Sequence, residues 1–208
     1  MNQDLYDISP PLDGLYAVWP SDTPLSQKSK LKLEKGHSVN LSSFEATAHL
    51  GSHANSPLMT DPKGLSIGEE SLTKFIGPCQ VIEVNVEKGA KIMPDQLPVK
   101  LEASRILFKT ATADRLHPFV EDYAALDPST IEHLHKNGVV LVGIDTPGID
   151  LFKDCQHVLS QKCASKYKMA VLECLYLKDV PQGVYELVAL PLKLIGFEAS
   201  PVRAILKK

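Results

Sequence analysis

Hydrophobic and polar residues alternate in several short segments of this chain with the two-residue period of β-strands. The predicted strands cover residues 80–86, 105–111, 139–146, 170–177 and 185–194. The third is apolar at nearly every position, which is typical of a strand buried on both faces of a sheet. The N-terminal third is rich in proline, serine, aspartate and glycine, and we expect loops and short strands there.

Helices are predicted between these strands from their capping residues. Asp127 is the predicted N-cap of one helix, Pro128 follows at its first position, and Gly138 ends it. A second helix is predicted over residues 158–167. A shorter one is predicted over residues 68–76, ended by the Gly-Pro dipeptide that follows.

Length and composition set the class of protein. The chain has 208 residues, of which 44% are hydrophobic and 23% charged, as in an ordinary soluble globular protein. Because strands and helices interleave, we predict a single mixed-sheet α/β domain over residues 1–208. A formal net charge of −3 and a pI near 6.2 create no field that gathers polyanions, so we expect no nucleic-acid partner.

The N-terminus and the cysteines indicate a cytoplasmic chain. The first residues carry three aspartates where a secretory signal needs positive charge and an apolar block. The longest apolar run, residues 139–144, is far shorter than the roughly 20 residues of a membrane-spanning helix, so no membrane partner is expected. The four cysteines show no C-x-x-C spacing and are expected to be reduced thiols.

The stretch AHLGSHANSPLMT contains the densest candidate chemistry. His49 and His53 lie four residues apart with a glycine between them, a spacing that can bring two imidazoles to one ion. A hydrogen-bonded loop that contains histidine by chance accounts for the same spacing. His133 and His135 lie two residues apart on a predicted helix, so they face different directions and are expected to be solvated.

The wider order of motifs resembles the cyclase family of metal-dependent hydrolases, which includes bacterial kynurenine formamidase. The family signature, His-x-Gly-Thr-His-x-Asp-x-Pro-x-His, is matched here by HLGSHANSPLM. The stretches DISPPLDG, VWPSDTPL, IGPCQVIEV, VGIDTPGID and ALPLKLIGFEASPVRAIL follow in the family's order and extend the resemblance over nearly the whole chain. The resemblance implies the family's α/β fold and a homodimer or homotetramer.

The resemblance also implies a ligand set. In the relatives, the two histidines and the following aspartate hold one metal, and a later histidine and glutamate hold a second. These positions are occupied here by His49, His53 and Asn55, and by Gln161 and Glu173. Neutral amides are weaker ligands than a carboxylate or an imidazole. We therefore expect zinc or another divalent metal, at most one ion, with a metal-free protein as the alternative.

The resemblance implies roles for a few other positions as well. Met59 stands where the family uses a histidine for proton transfer, and a thioether neither accepts nor donates a proton, so no catalytic residue is retained there. Trp19, the only tryptophan, lies where an aromatic group contacts substrate; a buried core tryptophan is the alternative. Asp145 either orients a ligand or closes a loop. His157 precedes Gln161 by one helical turn, about 5.4 Å, which is too far for simple replacement of a ligand.

Two functional hypotheses follow. The first is a metal-dependent amide hydrolase of the kynurenine formamidase type, acting on a small aromatic amide. It would convert N-formylkynurenine to kynurenine and formate in tryptophan catabolism, with activity weakened by the changed positions. The second is a non-catalytic relative that acts as a ligand-binding or oligomeric scaffold protein. The fold alone does not choose between them, because function resides in the site.

Overall fold

The computed structural model describes residues 5–113 and 119–208. Within these residues the strands are β1 (Leu5–Asp7), β2 (Ser26–Leu31), β3 (Leu41–Glu45), β4 (His53–Asn55), β5 (Ile76–Glu83), β6 (Lys91–Ile92), β7 (Arg105–Lys109), β8 (Ala125–Leu126), β9 (Leu141–Ile144), β10 (Ala170–Glu173), β11 (Gly183–Val188), β12 (Ala199–Pro201) and β13 (Ile205–Lys207). The α-helices are α1 (Pro128–Lys136) and α2 (Leu159–Lys166). Short 3-10 turns cover Leu33–Lys35, Pro57–Met59, Ile67–Glu69, Leu72–Lys74, Pro94–Gln96 and Phe152–Asp154.

One mixed sheet organises the molecule. Its strand order is β1-β13-β11-β5-β7-β9-β10-β4-β12. The central strands β5, β7, β9 and β10 run parallel, whereas the strands on both sides pair antiparallel. This arrangement confirms the predicted mixed-sheet α/β fold. It also explains why β9 and β10 are buried at every position, since parallel strands are covered on both faces.

The two faces of the sheet carry two separate cores. Along β7, Ile106 and Phe108 point into one core and Leu107 points into the other, as the two-residue period of a strand requires. The helices cover the face of Ile106: Ile131 of α1 and Ala164 of α2 pack there. Both helices therefore bury an apolar stripe against the centre of the sheet.

The helix predicted from Asp127 is confirmed. The Asp127 carboxylate accepts a hydrogen bond from the Ser129 backbone N–H at 2.9 Å, Pro128 occupies the first helical position, and Gly138 follows the helix with a left-handed φ of 79°. The helix predicted over residues 158–167 is also confirmed, as α2. Within the described residues, no helix has the length and apolar character needed to cross a membrane.

The helix predicted over residues 68–76 is wrong. Two 3-10 turns replace it, and β5 begins at Ile76, so the Gly-Pro dipeptide lies inside a strand. The cause is a contact distant in sequence: the Arg105 guanidinium donates to the Lys74 carbonyl oxygen at 2.7 Å and to the Thr73 carbonyl oxygen. A Cβ on Gly77 would lie 2.8 Å from the same guanidinium, so only glycine allows this approach.

All five predicted strands end earlier than their alternation indicates, and two of them end at least four residues earlier. The strand predicted over residues 170–177 ends at Glu173, because Cys174 adopts a left-handed φ of 57°. Its backbone N–H donates to the Thr146 carbonyl oxygen, and its own carbonyl accepts from the Ser52 hydroxyl at 2.8 Å. The strand predicted over residues 185–194 ends at Val188. The four cysteines are unpaired, as expected.

Candidate active site

Strand pairing brings three of the predicted site residues together. Strand β4 pairs antiparallel with β10, which places His53 opposite Glu173. Asn55 lies two residues further along β4 and therefore projects from the same face as His53. All three side chains are buried. The sheet thus positions an imidazole, an amide and a carboxylate at one point.

Glu173 accepts hydrogen bonds on both carboxylate oxygens. Oε1 accepts from the Ile149 backbone N–H at 2.7 Å, and Oε2 accepts from Asn55 Nδ2 at 2.8 Å. Oε2 also lies 3.1 Å from His53 Nε2. Burial alone would raise the pKa of Glu173, but the hydrogen bonds and charge of His53, together with those two donors, hold it below its ordinary value. The carboxylate is therefore ionised.

His53 is held as the charged partner of this carboxylate. Its Nδ1 lies 2.9 Å from the Gly51 carbonyl oxygen, to which it donates, and this contact turns Nε2 towards Glu173. Burial would lower the pKa of His53, but the neighbouring Cys174 and Glu173 raise it to about 10. The buried pair is thus an imidazolium and a carboxylate.

His49 lies beside His53 but is in a different charge state. The ring centroids are 4.9 Å apart at an interplanar angle of 82°, and His49 Nε2 lies 3.2 Å from Glu198 Oε1. Burial and the charge of His53 lower the pKa of His49, against the attraction of Glu173 and Glu198. Sequence reasoning missed Glu198, because nothing local indicates a contact across 149 residues.

Two buried amide oxygens at the centre lack a donor. Asn55 Oδ1 and Gln161 Oε1 have no hydrogen-bond partner in the described part of the chain. An unsatisfied buried acceptor costs about 1–3 kcal/mol, so both oxygens are candidate acceptors or ligands at this centre.

Gln161 is anchored through its backbone. Its N–H donates to Asp150 Oδ2 at 2.9 Å, and the Ser160 N–H donates to Asp150 Oδ1 at 2.8 Å. Burial raises the pKa of the Asp150 carboxyl despite these bonds. Sequence analysis missed Asp150 because it precedes the helix by nine residues and does not look like a cap.

A cavity of about 400 Å³ opens in front of these groups, within the usual size range of ligand sites. Its lining includes His49, His53, Gln161 and Glu173. Met59 lies on the wall and is 37% exposed, and its thioether offers no proton there. The predicted ligand positions His49, His53, Gln161 and Glu173 therefore lie at the cavity surface together with Met59, whereas Asn55 contacts it through Glu173.

Trp19 lies on the cavity wall instead of in a buried core. Its ring centroid is 5.4 Å from that of Phe119 and 5.0 Å from that of Phe152, and the three rings form an aromatic cluster. Asp145 is away from the cavity lining and closes a loop, since its carboxylate accepts from the Thr110 backbone N–H and hydroxyl. The loop-closing alternative for Asp145 is therefore the one observed.

The residues that could hold a metal ion are two imidazoles, one carboxylate and the neighbouring amide oxygens. In residues 5–113 and 119–208, no cluster of three or more histidine, cysteine, aspartate or glutamate side chains is arranged to hold a metal. An ion would therefore need an amide oxygen as well, and Asn55 Oδ1 is one that has no hydrogen-bond partner among the described residues. A second ion would have only Gln161 and a share of the one carboxylate. His157 is exposed and is not brought to the centre.

The fold is that of cyclase-type hydrolases. A structure described as a "potential metal-dependent hydrolase with cyclase activity" superposes with a TM-score of 0.80 at 26% identity, covering 97% of this chain and 96% of that one. Isatin hydrolase A from Ralstonia solanacearum shares the fold at a TM-score of 0.80 and 18% identity, over 97% of this chain and 90% of that one.

The chain belongs to the cyclase family. The Cyclase family model matches residues 6–151. The kynurenine formamidase of Bordetella pertussis is 41% identical over 207 residues, 98% of each chain. That of Bordetella petrii is also 41% identical, over 210 residues and 98% of each chain. These relatives confirm the predicted resemblance to kynurenine formamidase over nearly the full length.

Proposed function

We propose that this protein is an amide hydrolase of the kynurenine formamidase type, which removes a formyl group from an aromatic amine. The carrying observation is the His53–Glu173 pair in the lining of a cavity that Trp19 and Phe119 also line. The 41% identity to kynurenine formamidases supports N-formylkynurenine as the substrate, with kynurenine and formate as products in tryptophan catabolism. The aromatic ring would lie against Trp19 and Phe119.

We infer at most one divalent ion, zinc, held by His49, His53, Asn55 and Glu173. When bound, such an ion polarises a carbonyl group and lowers the pKa of water. The Gly51 carbonyl supports this role, because a donor bond from Nδ1 directs His53 Nε2 towards the centre.

Met59 sets the expected level of activity. A general acid or base typically contributes about 10²–10⁴-fold in rate, and the thioether at this position supplies neither function. The departing amine must therefore take its proton without help from residue 59. Weak turnover follows from this change alone.

Metal analysis and a repair series test the proposal. We expect zinc in protein purified without chelator, and slow conversion of N-formylkynurenine above the buffer rate. The combined substitutions Asn55→Asp, Met59→His and Gln161→His are expected to raise turnover by about 100-fold or more. A metal-free protein without turnover, whose repaired variant is also inactive, would show that the assignment is wrong.

The second candidate is a non-catalytic relative that binds aromatic ligands or serves as an oligomeric scaffold. The neutral groups at Asn55, Met59 and Gln161 favour it, because they remove charge and proton transfer while the cavity is kept. Isothermal titration with kynurenine separates the two: tight binding without conversion of the formyl compound supports only this candidate. We further propose a homodimer or homotetramer, testable by light scattering, and a cytoplasmic location.

A further inference from the structure

Asp22 brings a carboxylate to the cavity that Trp19 also lines. The residue is only half-buried, so a ligand in the cavity can reach its side chain. Its Oδ1 accepts a hydrogen bond from the Thr23 backbone N–H at 2.8 Å, which holds the carboxylate in place. Its Oδ2 has no partner among the described residues. One oxygen of an accessible carboxylate is therefore free to bind a ligand.

A tight turn fixes this carboxylate relative to the tryptophan. The Asp22 backbone N–H donates to the Trp19 carbonyl oxygen at 2.9 Å, and Pro20 and Ser21 lie between the two residues. Ser21 has a left-handed φ of 73°, which after a proline is typical of a type II turn. The aromatic ring and the carboxylate thus reach the cavity from one closed turn, and little ordering is needed when a ligand binds.

The other carboxylates of the cavity lining are already engaged. Both oxygens of Asp150 accept backbone N–H groups at the start of α2, and Glu173 is paired with His53. No lysine or arginine within residues 5–113 and 119–208 lines the cavity. Asp22 therefore supplies a negative charge that no neighbouring basic side chain neutralises, and a cleft of this kind attracts a ligand of opposite charge.

We propose that Asp22 binds the ammonium group of an aromatic ligand whose ring contacts Trp19. The site thus selects aromatic compounds with a short side chain that carries a positively charged amine over neutral compounds of the same shape. N-formylkynurenine has such an amine in its amino-acid side chain. The inference rests on the proposed function only in taking an aromatic ring to occupy this cavity.

This role has a distinct kinetic signature. The side-chain ammonium group is unchanged when the formyl group is removed, so its interaction with Asp22 is the same in the substrate and in the transition state. Loss of an interaction of this kind raises KM and leaves kcat unchanged. Asp22 is therefore a positioning residue, whereas loss of a residue that acts in the chemical step would lower kcat.

A matched pair of ligands tests the charge directly. Kynuramine has an aromatic ring and a side chain that ends in an ammonium group, and its alcohol analogue has a hydroxyl there instead. Trp19 is the only tryptophan and lines the cavity, so quenching of its fluorescence reports binding of both compounds. In the presence of a chelator, the wild-type protein is expected to bind kynuramine about tenfold more tightly than the alcohol. The preference should shrink in about 1 M salt, where the screening length falls to about 3 Å.

Two variants complete the experiment. Asp22→Asn removes the charge but keeps a carbonyl oxygen that can accept the Thr23 N–H, so the turn is preserved. It is expected to abolish the tenfold preference without changing the affinity for the alcohol, and that unchanged affinity also shows that the cavity is intact. Asp61→Asn is the matched control. Asp61 is exposed, lies outside the cavity lining and accepts the Lys63 backbone N–H at 2.9 Å in the same way, so this variant should keep the preference.

Three results would overturn the proposal: equal binding of the two compounds by the wild-type protein, a preference retained in Asp22→Asn, or no binding of either compound. Turnover of N-formylkynurenine is measured separately, and Asp22→Asn is expected to raise KM about tenfold at unchanged kcat. Absence of turnover with an intact, Asp22-dependent preference would refute the hydrolase and leave the ammonium site standing. Turnover without any preference for the ammonium compound would refute the ammonium site and leave the hydrolase standing.

Discussion

The Glu173 carboxylate is the point on which the hydrogen bonds of the site converge, and replacing it tests the site's geometry most sharply. Three donors face its two oxygens, from Ile149 at 2.7 Å, Asn55 at 2.8 Å and His53 at 3.1 Å. In a Glu173→Gln variant, the amide NH2 group must face at least one of these donors, whichever way it turns. The His53 imidazolium also loses its counter-charge in a buried position.

The expected loss of stability is large. Removing one partner of a buried ion pair typically destabilises a protein by about 3–5 kcal/mol. With a urea m-value of about 2 kcal/mol/M, a loss of about 4 kcal/mol lowers the unfolding midpoint by about 2 M. Glu34 is exposed, and Glu34→Gln is a matched control whose effect should stay within about 0.5 kcal/mol.

Urea unfolding at pH 7 in the presence of a chelator measures this loss without interference from bound metal. The double variant Glu173→Gln with His53→Gln should lose less than the sum of the two single variants, because it leaves no unpaired charge. A midpoint for Glu173→Gln within about 0.5 M of wild type, or strictly additive losses in the double variant, would refute the buried ion pair.

Three further predictions follow from particular contacts. Folding raises the pKa of His53 from 6.5 to about 10, so the stability that protonated His53 contributes is complete below pH 6.5 and is lost as the pH rises towards 10. In the presence of a chelator, the Tm of the wild-type protein should therefore fall over this pH range. The Tm of His53→Gln should change less over the same range. Zinc at 100 times its Kd should stabilise the wild-type protein by about 2.7 kcal/mol, measured as a rise in Tm, and Asn55→Leu should reduce the rise. A Cβ on Gly143 would lie 2.5 Å from Leu107 Cδ2, so Gly143→Ala should lower the free energy of unfolding, measured in urea, by about 1–3 kcal/mol. Gly14 has open space around it, so the control Gly14→Ala should lower it by less than about 0.5 kcal/mol.

The parts of the fold that the sequence predicts are those determined locally. The helix from Asp127 is specified by its own cap, first proline and final glycine, all within twelve residues. The segment at residues 68–76 has helical composition, but Arg105 binds its carbonyl groups and holds it in two turns. Helix propensity is a weak prior, and one buried guanidinium outweighs it here.

The site residues likewise fall into those that the local sequence or the family resemblance predicts and those that only the fold reveals. His49 and His53 are recognisable because their spacing is local, and Glu173 because the family resemblance supplies its place. Glu198 reaches His49, and Asp150 reaches the backbone of Gln161, because strand register and loop closure bring together residues that are far apart in sequence. No periodicity or short motif encodes such contacts, so only the folded structure identifies the carboxylate beside His49 and the one at the start of α2.

The neutral side chains at positions 55 and 161 affect how many metal ions the site could hold, because they leave few negative charges to balance them. In the metal-free centre, the negative charge of Glu173 is balanced by the His53 imidazolium. One divalent ion that displaces the His53 proton would be balanced by Glu173 and by Glu198 beside His49. A second ion would have the neutral Gln161 and only a share of the Glu173 carboxylate, so most of its charge would be uncompensated in a buried site, at a high cost in free energy. Because proton and ion compete for the same His53 nitrogen, the apparent zinc affinity should fall about tenfold for each unit by which the pH drops below the His53 pKa.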